Sequence, residues 1–262
     1  MGGGINLESR IEAVGDALRR ARRVCVLTGA GISAESGIPT FRDAMTGLWS
    51  QFRPEDLATP EAFARDPEFV WRWYEERRRR VAAATPNPGH FALADIESRV
   101  PALTLVTQNV DGLHQRAGSR NVHEYHGSLM RDRCTIEGTV AERAGDPAGL
   151  PRCARCGALL RPDVVWFGEP IPEAPLRIAA QAAAECEVFL SIGTSALVHP
   201  AAGLADIARA AGATIVEVNP DRTAISDAAD LRLGGRSGEL LPRLAVWLPG
   251  APSPAHSPNR IA

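Results

Sequence analysis

The chain has no apolar run of 18 residues or more, so no helix in it is expected to span a membrane. It has no large excess of either charge. The formal net charge is −2 and the isoelectric point is near 6.3, which gives no electrostatic reason to expect nucleic acid or an anionic membrane as a partner. The opening Met1-Gly2-Gly3-Gly4-Ile5 lacks a basic segment followed by an apolar one, so no secretory leader is expected. Cysteine is scarce and odd in number: Cys25, Cys134, Cys153, Cys156 and Cys186. Without a leader, that argues against a disulfide framework and for a reducing, cytoplasmic location. No internal repeat is visible. What remains is 262 residues, 45% hydrophobic and 23% charged, enough for one domain with a sizeable insert.

The chain alternates between two patterns. Leu7, Ile11, Val14 and Leu18 recur at helical spacing with charges between them, so residues 7–21 read as a helix. Val24-Cys25-Val26-Leu27 is a short apolar run that stops at Gly29. Similar runs occupy 103–106, 188–192 and 214–218, with a helical pattern over 200–211. Short, wholly apolar strands separated by helices fit an α/β fold: a parallel sheet with helices on both faces. The alternation breaks twice. Residues 44–90 carry aromatic and Arg-rich helices without a convincing strand, and 128–168 carry three cysteines and a Gly/Pro-rich loop. Both read as inserts that build a smaller lobe, leaving 1–43, 91–127 and 169–248 for a discontinuous larger domain. Residues 249–262 are rich in Pro and Ser and are expected to be disordered.

Gly29-Ala30-Gly31-Ile32-Ser33-Ala34 directly follows the first strand run and fits G-x-G-x-x-G/A. Such a turn brings backbone N–H groups and a helix N-terminus close to a pyrophosphate. A hydride-transferring dehydrogenase would also place an acidic residue about 20 positions on, at the end of a second strand. Here the chain runs instead into Pro39-Thr40-Phe41-Arg42-Asp43 and the first insert, so a nucleotide site not organised for hydride transfer is expected.

Cys153-Ala154-Arg155-Cys156-Gly157 has the spacing with which two thiolates grip one tetrahedral Zn²⁺. Cys134 offers a third thiolate, but the position that would complete a second pair holds Glu137. Three readings stand: Glu137 completes the site through a carboxylate oxygen; the fourth ligand lies elsewhere or is absent; or the lobe folds without metal. Cys25 and Cys186 sit in apolar surroundings and read as small core residues.

Four further segments occur in order: Gly29 to Pro39 with Phe41-Arg42-Asp43, then Thr107-Gln108-Asn109-Val110-Asp111-Gly112-Leu113-His114, then His126-Gly127-Ser128, then Gly193-Thr194-Ser195. With the cysteine knuckle between the last two, the chain resembles the sirtuins over roughly residues 10–245. The resemblance implies a Rossmann-like domain and a smaller helical, zinc-bearing lobe, with NAD and an acyl-lysine protein or peptide meeting in the cleft between them. It implies that Gly29, Ala30 and Gly31 approach the pyrophosphate, with Glu35 and Ser36 on the same turn. Phe41 and Arg42 would belong to a flexible cofactor loop, and Gln108 and Asn109 would contact the ribose and order water. Val110 stands where the family often has Ile. Asp111 would accept from the nicotinamide carboxamide, and His126 would be the general base. Gly193, Thr194 and Ser195 would bind phosphate or ribose, Asn219 the adenosine ribose, and Ser237 would lie near the adenine. The implied products are free lysine, nicotinamide and O-acyl-ADP-ribose. His90, His114, His123 and His199 read as surface or capping histidines.

The acyl preference has its own pattern. In Trp71-Arg72-Trp73-Tyr74-Glu75-Glu76-Arg77-Arg78, Tyr74 and Arg77 share a helix face. In the class III sirtuin subgroup a Tyr-x-x-Arg pair binds the distal carboxylate of succinyl, malonyl or glutaryl groups, and Ala58 matches the small residue that widens its pocket. A buried carboxylate must be paired, and a guanidinium fork with a phenol donor does that. The plainer reading makes residues 77–80 one solvated basic face. Val164 to Glu169 would be extended and pair with the substrate backbone, with Val165, Trp166 and Phe167 lining a lysine tunnel. A plain deacetylase, or a protein ADP-ribosyltransferase of the same family, is the alternative.

Overall fold

The computed structural model describes residues 6–39, 52–142 and 149–250. Phe41, Arg42 and the Pro/Ser-rich stretch 251–262 lie outside the described residues. Helix α1 (Leu7–Arg20) starts where the Asn6 side chain accepts the Ser9 N–H at 2.8 Å, and it buries Ile11, Val14 and Leu18. Strand β1 (Arg23–Thr28) then enters the core, and α2 (Ala30–Ala34) follows directly. Helix α6 (Pro88–Arg99) leads into β2 (Ala102–Thr107), the short helix α7 (Leu113–Arg116) and β3 (Val122–Glu124). Later come α8 (Glu173–Glu185), β7 (Val188–Ile192), α9 (Leu204–Ala210), β8 (Thr214–Val218), β9 (Leu231–Leu233) and α10 (Ser237–Ala245). The helical pattern at 200–211 splits into a 3-10 turn, Ala201–Gly203, and α9.

The strands form a six-stranded sheet in the order β3-β2-β1-β7-β8-β9, every pair parallel. Alternation along β1 explains its unbroken apolar run. Val24 and Val26 face one core with α1, α6 and α10, while Cys25 and Leu27 face another with α8 and α9. From β1 the chain moves outward to β2 and β3, then returns to β7 on the other side. The strand order thus reverses between β1 and β7, and a crevice lies at their carboxyl ends.

The inserts make a second unit. Helices α3 (Pro54–Leu57), α4 (Pro60–Arg65) and α5 (Pro67–Ala83) pack on an antiparallel sheet, β5-β4-β6, built from β4 (Gly127–Cys134), β5 (Val140–Glu142) and β6 (Leu160–Val164). Thr59 and Asp66 cap α4 and α5, each followed by Pro in the first helical turn. A third core joins Phe63, Trp71, Trp73 and Tyr74 to Leu129, Val164 and Trp166. Truncating an aromatic this deep typically costs about 3–5 kcal/mol. Arg78 is buried, bound to Glu75, Asp132 and the Leu129 carbonyl, and so ties α5 to β4. Residues 77–80 are therefore not one solvated face. The stretch Val164 to Glu169 is not one strand either. β6 stops at Val164 and the rest turns, because the Trp166 N–H goes to the Glu169 carboxylate and the Phe167 N–H to the Ala58 carbonyl. No helix among the described residues is long and apolar enough to cross a membrane.

Candidate active site

The crevice is lined by turns that only small residues permit. The Gly31 N–H donates to the Gly193 carbonyl at 2.8 Å. A Cβ on Gly31 would sit 2.7 Å from the Gly193 Cα, and one on Gly29 would sit 2.8 Å from the Gly193 oxygen. The loops after β1 and β7 can touch only because both are bare backbone there. Glu35 and Ser36, at the end of α2, turn toward neighbouring helices. Glu35 accepts from the Gly238 N–H at 2.9 Å and the Ser237 hydroxyl at 3.3 Å, capping α10 from outside its own segment. Ser36 Oγ accepts from Asn87 Nδ2 at 3.0 Å.

The turn after β2 crosses to the same place. The Gln108 amide reaches Thr194 Oγ1 at 3.0 Å, and Asn219 Nδ2 donates to the Thr194 carbonyl, also at 3.0 Å. Ser195, beside them, is exposed. Asn109 is buried and donates from Nδ2 to the Gly29 carbonyl and to Ser33 Oγ, both at 3.1 Å. Ser33 in turn donates to Asp111 Oδ2 at 2.8 Å, and the Leu113 N–H binds Asp111 Oδ1 at 2.9 Å. Burial raises the Asp111 carboxyl, opposed by the Leu113 N–H and the Ser33 hydroxyl. Val110, half-buried, packs against the small-lobe core.

His126 follows β3 and faces this turn. Its Nδ1 lies 3.0 Å from the Gln108 carbonyl, which can only accept. Nδ1 therefore carries the proton and Nε2 presents a lone pair. Burial holds the imidazole below its ordinary range, and the Gln108 bond opposes that in part. The His126 carbonyl accepts the Val165 N–H at 2.9 Å, which fixes the start of the 165–169 turn beside the imidazole. Around that turn, Trp166 is buried with its indole N–H on the Tyr74 oxygen at 2.8 Å, while Phe167 is exposed. Ala58 is buried in the same core. The Arg77 guanidinium lies over the Trp73 ring at 4.9 Å and near the Tyr74 ring at 5.8 Å. Tyr74 and Arg77 share a face of α5, and Tyr74 shares its core with Ala58 and Trp166.

Two histidines read as surface or capping residues are buried behind the site. His90 does cap: its Nδ1 accepts the Asn87 N–H, and its Nε2 lies 3.4 Å from Ser33 Oγ. His114 Nε2 lies 3.0 Å from Thr28 Oγ1, which donates to Thr107 Oγ1, which accepts the Asn109 N–H. Ser33, Thr28, Thr107, His90 and His114 thus back Asn109 and Asp111. The one signal that could have exposed them is their position inside the site motifs and in the Asn87-Pro88-Gly89-His90 cap.

Cys134, Glu137, Cys153 and Cys156 converge, their ligand atoms all within 4.8 Å of one another. The Cys134 and Cys156 sulfurs are 3.5 Å apart. Bonds of ~2.3 Å around a tetrahedral zinc require about 3.8 Å between sulfurs, so the donor set fits that ion. Of the three readings of position 137, the geometry favours the carboxylate as fourth ligand. Cys25 and Cys186 are core residues, with burial raising both thiols.

Residues 29–200 match the Sir2 family. A Pyrobaculum aerophilum protein named NAD-dependent protein deacylase 2 is 53% identical over 232 residues, 88% of this chain and 93% of that one. A Methylococcus capsulatus NAD-dependent protein deacylase is 52% identical, covering 87% and 92%. Among solved structures, a Sir2 homologue in complex with NAD superimposes with a TM-score of 0.85 at 47% identity, covering 89% of this chain and 92% of that one. A Sir2 bound to acetylated peptide gives 0.79 at 31% identity, covering 89% and 96%.

Proposed function

The chain belongs to the Sir2 family, and on that footing we propose that it is an NAD-dependent protein-lysine deacylase that removes succinyl and malonyl groups and also acetyl. The observation that carries this is the His126 imidazole. Its Nδ1 is committed to the Gln108 carbonyl and its Nε2 is free to take a proton, beside the Gly29, Gly31 and Gly193 crevice. NAD, when bound, supplies an electrophilic ribose carbon with nicotinamide as its leaving group. The chain's residues do the rest. The small-residue turn Gly29-Ala30-Gly31, held by the Gly29 and Gly31 N–H bonds to the Ile192 and Gly193 carbonyls, leaves room for the pyrophosphate to approach the backbone. Asp111, oriented by Ser33 and Leu113, accepts from the carboxamide. Gln108 and Asn109 hold the ribose and a water, and Thr194, Ser195 and Asn219 the adenosine side. His126 Nε2 takes the proton of a ribose hydroxyl so that its oxygen can attack the acyl carbon. Phe41 and Arg42 are assigned to closing the site against water.

The acyl preference rests on Tyr74, Arg77 and the small Ala58. Burial and Arg80 disfavour the charged Arg77 guanidinium, with Tyr74 and Asp111 acting the other way, and an incoming carboxylate would add to their effect. Cys134, Glu137, Cys153 and Cys156 are assigned to a structural zinc, which would cross-link the end of β4 to the knuckle. The division into 1–43, 91–127 and 169–248 against 44–90 and 128–168 belongs to the same proposal, as does a cytoplasmic setting.

The test is nicotinamide release with acetyl-, succinyl- and unmodified lysine peptides. Release should need an acylated peptide, and His126→Ala should cut it at least a hundredfold, as loss of a general base does. Undiminished turnover in that variant would remove the proposal's footing.

A further inference from the structure

Trp166 is 3% exposed, and its indole N–H can only donate, which it does to the Tyr74 oxygen at 2.8 Å. A phenol proton prefers the plane of its ring, where conjugation leaves it two positions. An N–H arriving at one of them leaves the proton the other. Among the described residues the Tyr74 hydroxyl, itself 2% exposed, donates to no protein group. Burial pushes the phenol up to about 12, so it keeps that proton at any working pH.

Trp166 is itself clamped. The Arg161 guanidinium stacks 3.8 Å from the centre of its ring and is gripped by both Glu169 oxygens at 2.7 Å. The same carboxylate accepts the Trp166 backbone N–H at 2.9 Å, and Phe63 packs on the indole at 5.4 Å. A guanidinium both stacked and doubly bonded has little freedom to swing, and neither does the ring beneath it.

We infer that Trp166, clamped by Arg161 and Glu169, fixes the direction of the Tyr74 hydroxyl proton and so commits Tyr74 to donate to an acidic acyl group. The inference rests on the acidic-acyl reading above. Trp166 and Arg161 become positioning residues for acyl choice: a terminal carboxylate receives the aimed proton, whereas an acetyl group leaves a buried donor unmatched.

The experiment measures kcat/KM for succinyl and acetyl peptides in the wild type, Trp166→Phe, Tyr74→Phe, their double variant, Arg161→Met and Arg77→Met. Trp166→Phe, Tyr74→Phe and Arg161→Met should each lower the succinyl-to-acetyl ratio about tenfold, the range of one hydrogen bond to a charged group. The double variant should fall no further than Tyr74→Phe, because both changes remove one relay. The indole N–H resonance of Trp166 should move in Tyr74→Phe, a readout that needs only that variant to fold. An unmoved resonance, an unchanged ratio in Trp166→Phe, or additive losses would overturn the relay while leaving the acyl reading in place. A wild type inactive on succinyl peptide, or Arg77→Met lowering both activities equally, would overturn the acyl reading and the relay with it.

Discussion

Three histidines share the neighbourhood of the cleft, and their surroundings separate them. His126 keeps one nitrogen for the Gln108 carbonyl and one for chemistry. His90 and His114 lie in the interior with ring centres 4.9 Å apart and planes tilted by 58°, and burial pushes them down to about 4 and about 3. Both are therefore neutral in the folded protein at pH 7. In the unfolded chain they titrate near 6.5. Below that pH the unfolded state takes up protons that the folded state refuses. The stability from the neutral pair is present above about pH 6.5 and is lost as the pH falls toward 4 and then 3. The loss is on the order of 3 kcal/mol for His90 and about 5 kcal/mol for His114. Melting temperature should drop steeply across that window, and His114→Gln should flatten the slope. A slope unchanged by that substitution would mean the carboxylates alone set the acid limit.

At the scale of elements, the first loop depends on backbone approach more than on the helix it starts. Helix α2 has five residues, too few to be stable alone, and is held by the Gly31–Gly193 contact and by Asn87 Nδ2 on the Ile32 carbonyl. Gly31→Ala should therefore do more than lower helix entropy. Its Cβ would meet the Gly193 Cα at 2.7 Å and push the two loops apart. Steady-state kinetics should show KM for NAD rising at least tenfold with the peptide KM much less affected, alongside a fall in melting temperature of several degrees. An unaltered KM for NAD would mean the two loops need not touch. The strands were legible because each is an unbroken apolar run, as burial on both faces demands. The end of β6 was not, because apolar residues continue to Phe167 while side-chain and loop partners take over the backbone bonds.

At the scale of the molecule, the cleft exists because two inserts leave the parallel sheet and pack into a lobe with its own core. The cysteine cluster lies at the far end of β4, so it can stiffen that lobe without entering the chemistry. The purified protein should carry about one zinc per chain, and removal by a chelator should lower the melting temperature. Glu137→Ala should retain less metal after dialysis, whereas Glu137→Cys should hold it more tightly. Metal-free protein with an unchanged melt would assign the cluster to packing alone. All 29 basic residues are arginine, so the protein presents no lysine side chain of its own to its cleft. The sequence by itself determined the order of the motifs, the parallel α/β class, the two inserts, the pairing of Tyr74 with Arg77 on one helix face, and the cysteine spacing, because these depend on periodicity and short-range geometry. The tertiary structure alone decided that Arg78 is buried while Arg79 is exposed, that Glu137 reaches the thiols, that burial holds His90 and His114 below their ordinary range, and that the Trp166 indole meets the Tyr74 oxygen. Those facts depend on the distance and dielectric between residues such as Ser33 and Asp111, or Tyr74 and Trp166, which lie far apart along the chain and meet only when it folds.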